Sequence, residues 1–216
     1  MSEVWFTADT HFGHANIIKY CNRPFLTASE QAKADADPRG KWAVSEETVA
    51  RHDKALIDAI NQLVLRGDRL WILGDFCWGR YDAAKSYLDR IHCKNVNFVR
   101  GNHDHDEIGS LFNRTLEQGG IKVQGQRIWL NHYPMRTWDR RFHGSWHLYG
   151  HVHDRMTCED QENLELLTKD VGVDACGYKP ISFTQLSEYM RPRVKAFEAM
   201  KQRITTGKAL ENDRLD

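Results

Sequence analysis

The chain has 216 residues and 41% hydrophobic content, which suits one globular domain with a sizeable core, or at most one domain carrying excursions. Lysine plus arginine and aspartate plus glutamate balance at 30 each, which excludes a molecule-wide field for collecting nucleic acid and leaves any attraction for anions to be local. The five cysteines, Cys21, Cys77, Cys93, Cys158 and Cys176, are odd in number and form no Cys-x-x-Cys pair, which favours buried free thiols in a reducing cytosol over a disulfide framework.

No basic segment or apolar leader precedes Val4, Trp5 and Phe6, and no run approaches membrane-spanning length, so a soluble cytoplasmic protein without membrane contact is expected. Residues 4–8 read as a buried first strand that delivers Asp9, Thr10, His11, Phe12, Gly13 and His14 at its C-terminal end. Residues two apart in an extended chain share a face, so Asp9 and His11 can converge on one point as a metal chelate. Asn16 is expected to cap a following helix, and His14 stays open between a cap and a substrate contact. Residues 23–40 are polar and irregular, with Pro24, Pro38 and a charged run over 33–39. The segment 27–44 is therefore expected to be a solvated surface excursion of one domain spanning residues 1–203. Ser45 then N-caps a helix with Glu46 and Glu47 in its first turn and Leu56, Ile57, Ile60, Leu63 and Val64 on one face, stopped by Gly67. His52 within it reads as an exposed or half-buried structural histidine.

Residues 69–73 are a second buried strand, again with a carboxylate at the exit, in Gly74 and Asp75. A helix from about Asp82 buries Ala83, Ala84, Tyr87, Leu88 and Ile91, and a strand over 96–100 ends in Gly101, Asn102, His103 and Asp104. Strand, helix and strand in succession argue for parallel neighbours with active groups gathered at one edge. Residues 107–116 read as helical, and 121–123, 127–130 and 145–149 as strands of a second, partly antiparallel sheet. Those strands deliver Asn131, His132, Tyr133 and Pro134, then Gly150, His151, Val152 and His153. The loop over 135–144 packs Arg136, Trp138, Arg140, Arg141, Phe142 and His143 together. Interleaved aromatic and basic side chains can stack a base and hold a phosphate, which makes Arg136 and Trp138 candidate substrate contacts; the competing reading is a loop whose aromatics plug the fold. A further strand or pair of strands is expected over 164–183; Asp174 could reach the site from it, but is read first as a turn residue near Gly177 and Pro180. Residues 184–203 read as an amphipathic helix with a solvated basic face and a candidate kink at Pro192, and 204–216 as a flexible tail.

Asp9, His11, Asp75, Asn102, His132, His151 and His153 make a set of oxygen and nitrogen donors with no thiolate. Such donors suit Mn, Fe, Zn or Ni in five- or six-coordinate sites and argue against a structural zinc. Seven donors are too many for one ion that keeps an open position, whereas two ions sharing a bridging carboxylate use them all. Two divalent ions, offset by Asp9, Asp75 and one hydroxide, would leave about +1 at this spot in an otherwise neutral protein, a focused anion site.

In order, Asp-x-His, Gly-Asp, Gly-Asn-His-Asp, a lone histidine and Gly-His-x-His over residues 9–153 resemble the calcineurin-like binuclear metallophosphoesterases. Residues 8–14, followed by Arg23, Pro24 and Phe25, are similar to the small bacterial and phage phosphoesterases of that superfamily. The resemblance implies an α/β (α+β) four-layer αββα sandwich, two mixed β-sheets flanked by helices. It implies that Asp9, His11 and His153 hold one metal, that Asn102, His132 and His151 hold the other, and that Asp75 bridges them. Mn²⁺ is the leading candidate for both ions, with Fe, Zn or Ni as alternatives. His103 would act as the acid on the leaving oxygen, with Asp104 orienting its ring. Phe76, Cys77 and Trp78 follow Asp75 where many relatives carry a polar residue, which makes the nearby substrate surface more apolar. The expected activity is a phosphodiesterase acting on a nucleotide or nucleic acid through a bridging hydroxide. The alternatives are a phosphomonoesterase on a small metabolite and a non-catalytic metal-binding scaffold.

Overall fold

In chain order the strands are β1 (Val4–Thr7), β2 (Arg69–Leu73), β3 (Asn95–Val99), β4 (Arg114–Leu116), β5 (Gln118–Val123), β6 (Gln126–Asn131), β7 (Trp146–Tyr149), β8 (Thr168–Asp170) and β9 (Ile181–Ser182). The helices are α1 (Ala15–Tyr20), α2 (Ala28–Ala36), α3 (Glu46–Leu63), α4 (Tyr81–Leu88), α5 (Thr157–Glu162) and α6 (Phe183–Asn212), in a computed structural model that describes residues 2–37 and 40–212. The first sheet runs β4-β3-β2-β1-β9, parallel except for β9, and the second runs β5-β6-β7-β8, antiparallel only between β5 and β6. Both sheets are mixed, and the fold is the αββα sandwich.

The alternation along β2 shows why the layers stack. Trp71 and Leu73 join Phe6, Ala8 and Val99 against Ile128, Leu130 and Leu148 of the second sheet, while Leu70 and Ile72 face Leu56, Ile57 and Ile60 of α3. A strand buried on both faces reads as a continuous apolar run, as residues 70–73 do. Each fully buried leucine or isoleucine contributes about 1.5–3 kcal/mol relative to exposure, so these two interlayers hold the strand ends where the chemistry sits. Phe183, Leu186, Met190 and Phe197 of α6 belong to the same cluster as the space between the sheets. Among the described residues no helix is long and apolar enough to cross a membrane. Cys21, Cys77, Cys93, Cys158 and Cys176 are free, but only Cys77 and Cys93 are buried as expected; Cys21 and Cys176 are half-buried and Cys158 is exposed.

Several local expectations are corrected. Residues 28–36 form α2, closed by a capping box in which the Thr27 hydroxyl accepts from the Glu30 N–H and the Glu30 carboxylate accepts from the Thr27 N–H. Pro38 and Arg39, counted in the irregular stretch, lie outside the described residues. The N-cap of α1 is His14, with no side-chain cap bond, and Asn16 lies inside the helix. Ser45 caps α3 by accepting from the Thr48 N–H, but the helix ends at Leu63, before Gly67, and Leu63 is exposed. The stretch 107–116 divides into a 3₁₀ turn, Asp106–Leu111, and β4, because the edge of β3 offers Arg114–Leu116 a parallel ladder. α5 had no apolar period to announce it. Helix α6 continues through Asn212, beyond the end read at residue 203, and residues 213–216 of the expected tail lie outside the described residues.

Candidate metal centre

Because β1, β2 and β3 are parallel neighbours, their C-terminal ends lie at one edge, and the turns that follow carry Asp9, Asp75 and Asn102 there. The parallel pair β6 and β7 brings His132, His151 and His153 to meet them. Five of the seven donors, Asp9, His11, Asp75, His151 and His153, have φ between 47° and 70°, in the left-handed region. Each such residue costs on the order of 1–3 kcal/mol, and the strain is held by backbone hydrogen bonds from Asp9 N to Gly74 O (3.0 Å) and from His11 N to Asp75 O (2.9 Å). Close approach also fixes two glycines: a Cβ at Gly74 would lie 2.3 Å from His132 Nδ1, and one at Gly101 would lie 2.3 Å from Asp75 Oδ1.

The donors fall into two clusters, Asp9 with His11 and His153, and Asp75 with His132 and His151, each with ligand atoms within 4.8 Å of one another. Asp75 Oδ2 stands between them, 3.4 Å from His11 Nε2 and 3.4 Å from His132 Nε2. Asn102 Oδ1 lies 3.1 Å from His132 Nε2 and 3.0 Å from His151 Nδ1, so it completes the second cluster. The Nδ1–H of His132 donates to Leu73 O at 2.8 Å, which leaves Nε2 aimed at the centre. His11 Nε2 is buried without a hydrogen-bond partner. An orphaned ring nitrogen beside carboxylate and amide oxygens is what a divalent cation would satisfy, and the oxygen and nitrogen donor set fits Mn, Fe, Zn or Ni.

The electrostatics agree with that fit. Burial pushes the Asp9 carboxyl up to about 7 and the His11 imidazole down to about 2, so the charged form of each is disfavoured and His11 stands as a neutral donor. Burial works the same way on Asp75, but the hydrogen bond and charge of His132, with His11 and the His103 N–H, outweigh it and hold its carboxyl below the ordinary range. For His153 burial is outweighed by the hydrogen bond to Asp174, which lifts it to about 10.

Asp174, read as a turn residue, is part of this site. The His153 Nδ1–H donates to Asp174 Oδ2 at 2.7 Å, and the Arg23 guanidinium donates to both Asp174 oxygens at 2.9 and 2.8 Å. Arg23 is fully buried and also donates to Asp9 O, Thr10 O and His52 Nε2. His52 is accordingly buried rather than exposed, its other nitrogen donating to Asp53 Oδ1. Cys21 stands with His153 and Asp174 in a third cluster, but the guanidinium already occupies Asp174 with positive charge. The only trace of Arg23 in the sequence was its place beside Pro24 and Phe25; nothing there pointed to a partner 151 residues away.

The remaining candidates divide. His103 is exposed at the rim, its ring 5.7 Å from that of His11, and its N–H donates to Asp75 Oδ1 at 3.0 Å. Asp104 does not take up its ring: the buried carboxylate accepts from the N–H groups of Asp75, Phe76 and Gly101 at 2.7, 2.9 and 2.8 Å, tying the two turns together. His14 stacks on Trp78 with centroids 4.4 Å apart and lies 5.4 Å from His11. Trp138 is 7% exposed in the core, its indole N–H donating to Ser145 O, so it plugs the fold and offers little ring to a base. Arg136 is exposed on the wall of a separate cavity of about 430 Å³ with Tyr149 and Asp160.

A profile of the calcineurin-like phosphoesterase family matches residues 2–171. The chain is 32% identical over 185 residues to the uncharacterized protein MJ1445 of Methanocaldococcus jannaschii, covering 84% of this chain and 88% of that one. It is 26% identical over 206 residues to the Gene 66 protein of Mycobacterium phage D29, covering 81% of this chain and 89% of that one. Among solved structures, the protein of unknown function AQ665 from Aquifex aeolicus superposes with a TM-score of 0.60 at 23% identity, over 88% of this chain and all of that one, a likeness of fold.

Proposed function

Since this chain belongs to the calcineurin-like phosphoesterase family, we propose that it hydrolyses phosphodiesters of a nucleotide or nucleic acid at a pair of divalent metal ions, Mn²⁺ foremost. The single observation that supports this reading most is Asp75 Oδ2, equidistant at 3.4 Å from one histidine of each cluster, the position a bridging carboxylate needs. Asp9, His11 and His153 would hold one ion and Asn102, His132 and His151 the other. Such a pair supplies an activated water as nucleophile and neutralises phosphoryl oxygens in the transition state.

The chain's own groups do the rest. His103, at the rim and outside the ligand set, protonates the leaving oxygen, and the Asp75 carboxylate fixes its backbone through the 3.0 Å bond to the His103 N–H. Asp104 keeps the Asp75 and Gly101 turns in register, so its part is positioning and not proton transfer. With Trp138 withdrawn into the core, the support for a base-bearing substrate moves to the rim aromatics. Trp78 is 57% exposed on one side, stacked on His14, and Tyr133 is 44% exposed on the other, its ring 4.5 Å from that of His151. Exposed rings flanking a phosphate site are stacking platforms for bases, each worth about 1–3 kcal/mol.

The test is a panel of chromogenic diesters and monoesters, with and without a nucleoside, each assayed with Mn²⁺, Fe²⁺, Zn²⁺ and Ni²⁺. The expected result is diester cleavage supported by Mn²⁺, a preference for the nucleoside esters, and loss of that preference in Trp78→Ala. Faster monoester cleavage would move the substrate to a small phosphorylated metabolite, and no cleavage with any ion would sink the hydrolytic reading.

A further inference from the structure

At the end of the sandwich away from the metal centre, where β2, β3 and β4 begin, the two sheets part around a groove of about 560 Å³. Register sets its wall: Trp71, Asn97 and Arg114 lie side by side across three parallel strands, and Arg69 precedes Trp71 by two residues on the same face. Further along these strands that face carries Leu73, Val99 and Leu116 into the apolar interlayer, so the space between the sheets changes from hydrocarbon to cation and amide. Lys122 and Arg127 line the groove from the second sheet.

Three observations give the groove a sign. No carboxylate lines it, and among the described residues Arg69, Arg114, Lys122 and Arg127 take part in no ion pair. Lys122 and Arg127 are direct cross-strand partners in the antiparallel β5–β6 ladder, a like-charge pairing that destabilises a sheet unless an anion relieves it. Trp71 is 2% exposed, and its indole Nε1, a donor only, has no acceptor in the protein; the Arg114 guanidinium lies 5.8 Å over its ring. Four cations and an orphaned N–H around one cavity, in a chain whose charges balance overall, are a local anion site of the kind global neutrality leaves room for.

We propose that this groove binds a multiply charged phosphate ligand of about nucleotide size, at a position distinct from the metal centre and independent of whether that centre hydrolyses anything. The volume falls within the usual range of ligand pockets, roughly 300–1,000 Å³. Arg69, Arg114, Lys122 and Arg127 carry the charge recognition, and Asn97 and Trp71 line the groove between them.

Inorganic tripolyphosphate is the probe, titrated calorimetrically into the full chain in EDTA so that no metal draws phosphate to the other end of the molecule. In parallel, the indole N–H resonance of Trp71, assigned by its disappearance in Trp71→Phe, is followed by NMR. Saturable binding that weakens with salt is expected, with a shift of the Trp71 signal and an affinity at least about tenfold lower in the surface variant Arg114→Gln/Lys122→Gln. A second titration with a short oligothymidylate separates the sources: tighter binding of the strand assigns the phosphates to a nucleic-acid backbone, tighter binding of tripolyphosphate to a free ligand, and both uphold the groove. Absence of saturable binding by either probe, or binding that the double variant leaves unchanged with the Trp71 signal unmoved, overturns it.

Discussion

His153 joins the first cluster with its Nδ1–H committed to Asp174, and Asp174 is held in turn by both arms of a fully buried guanidinium. A ring oriented in this way is a better ligand than a free one, and removing such a partner lowers metal affinity by roughly 10–100-fold. Asp174→Asn is therefore expected to release the ion held by Asp9, His11 and His153 at lower chelator concentration than the ion held by Asn102, His132 and His151. Metal content after stepwise dialysis checks this, and simultaneous loss of both ions would remove the special link to His153. His103→Ala removes a ring outside the donor set and keeps the backbone N–H to Asp75: metal content should persist while the rate of diester cleavage falls about 10²- to 10⁴-fold, and an unchanged rate would clear His103 of the acid role. Asp104, with three backbone N–H donors on a buried carboxylate, should register in stability before chemistry.

Helix α2 shows how one carboxylate can organise an element. Burial opposes the charge of Glu30, yet the Thr48 hydroxyl (2.6 Å) and the N–H groups of Ser45 (2.7 Å) and Thr27 (2.9 Å) all donate to it and hold its carboxyl at about 2, below the ordinary 4.5. The side chain thereby joins the N-terminus of α2 to that of α3. A carboxyl whose value is lower in the folded chain stabilises fully above its unfolded value, and that contribution is lost as pH falls from about 4.5 toward about 2. Charge-assisted hydrogen bonds of this kind contribute about 1.5–3 kcal/mol, so Glu30→Gln should lower the urea midpoint clearly at pH 7. The gap between variant and wild type should close as the titration reaches pH 2, and a gap constant over that window would show that the charge is not what holds the two helices.

The donor set is a property of the whole molecule, since its two clusters come from turns of both sheets. An ion that binds only the folded chain stabilises it by about 2.7 kcal/mol at a hundred times its Kd, a rise in Tm of roughly 5–10 °C for a chain of this size. Differential scanning with Mn²⁺ and with EDTA measures that difference, and Asp75→Ala should abolish it; equal midpoints in the native chain would contradict a metal centre shared by the sheets. Much of this arrangement was legible from local pattern. The apolar runs at residues 4–8, 69–73 and 96–100 became β1, β2 and β3, and polar groups after them gathered into the two donor clusters, because period, strand length and turn chemistry are encoded in neighbouring residues. By contrast, the roles of Asp174, Arg23 and Asp104, the burial of His52, and the meeting of Lys122, Arg127, Arg114 and Arg69 in one groove were not. Each depends on a partner far along the chain, and whether a carboxylate caps a turn, clamps an arginine or orients a histidine is decided by what the packed layers bring within 3 Å of it. Local order determined which residues could do chemistry here; only the stacking of the sheets decided which of them face one another.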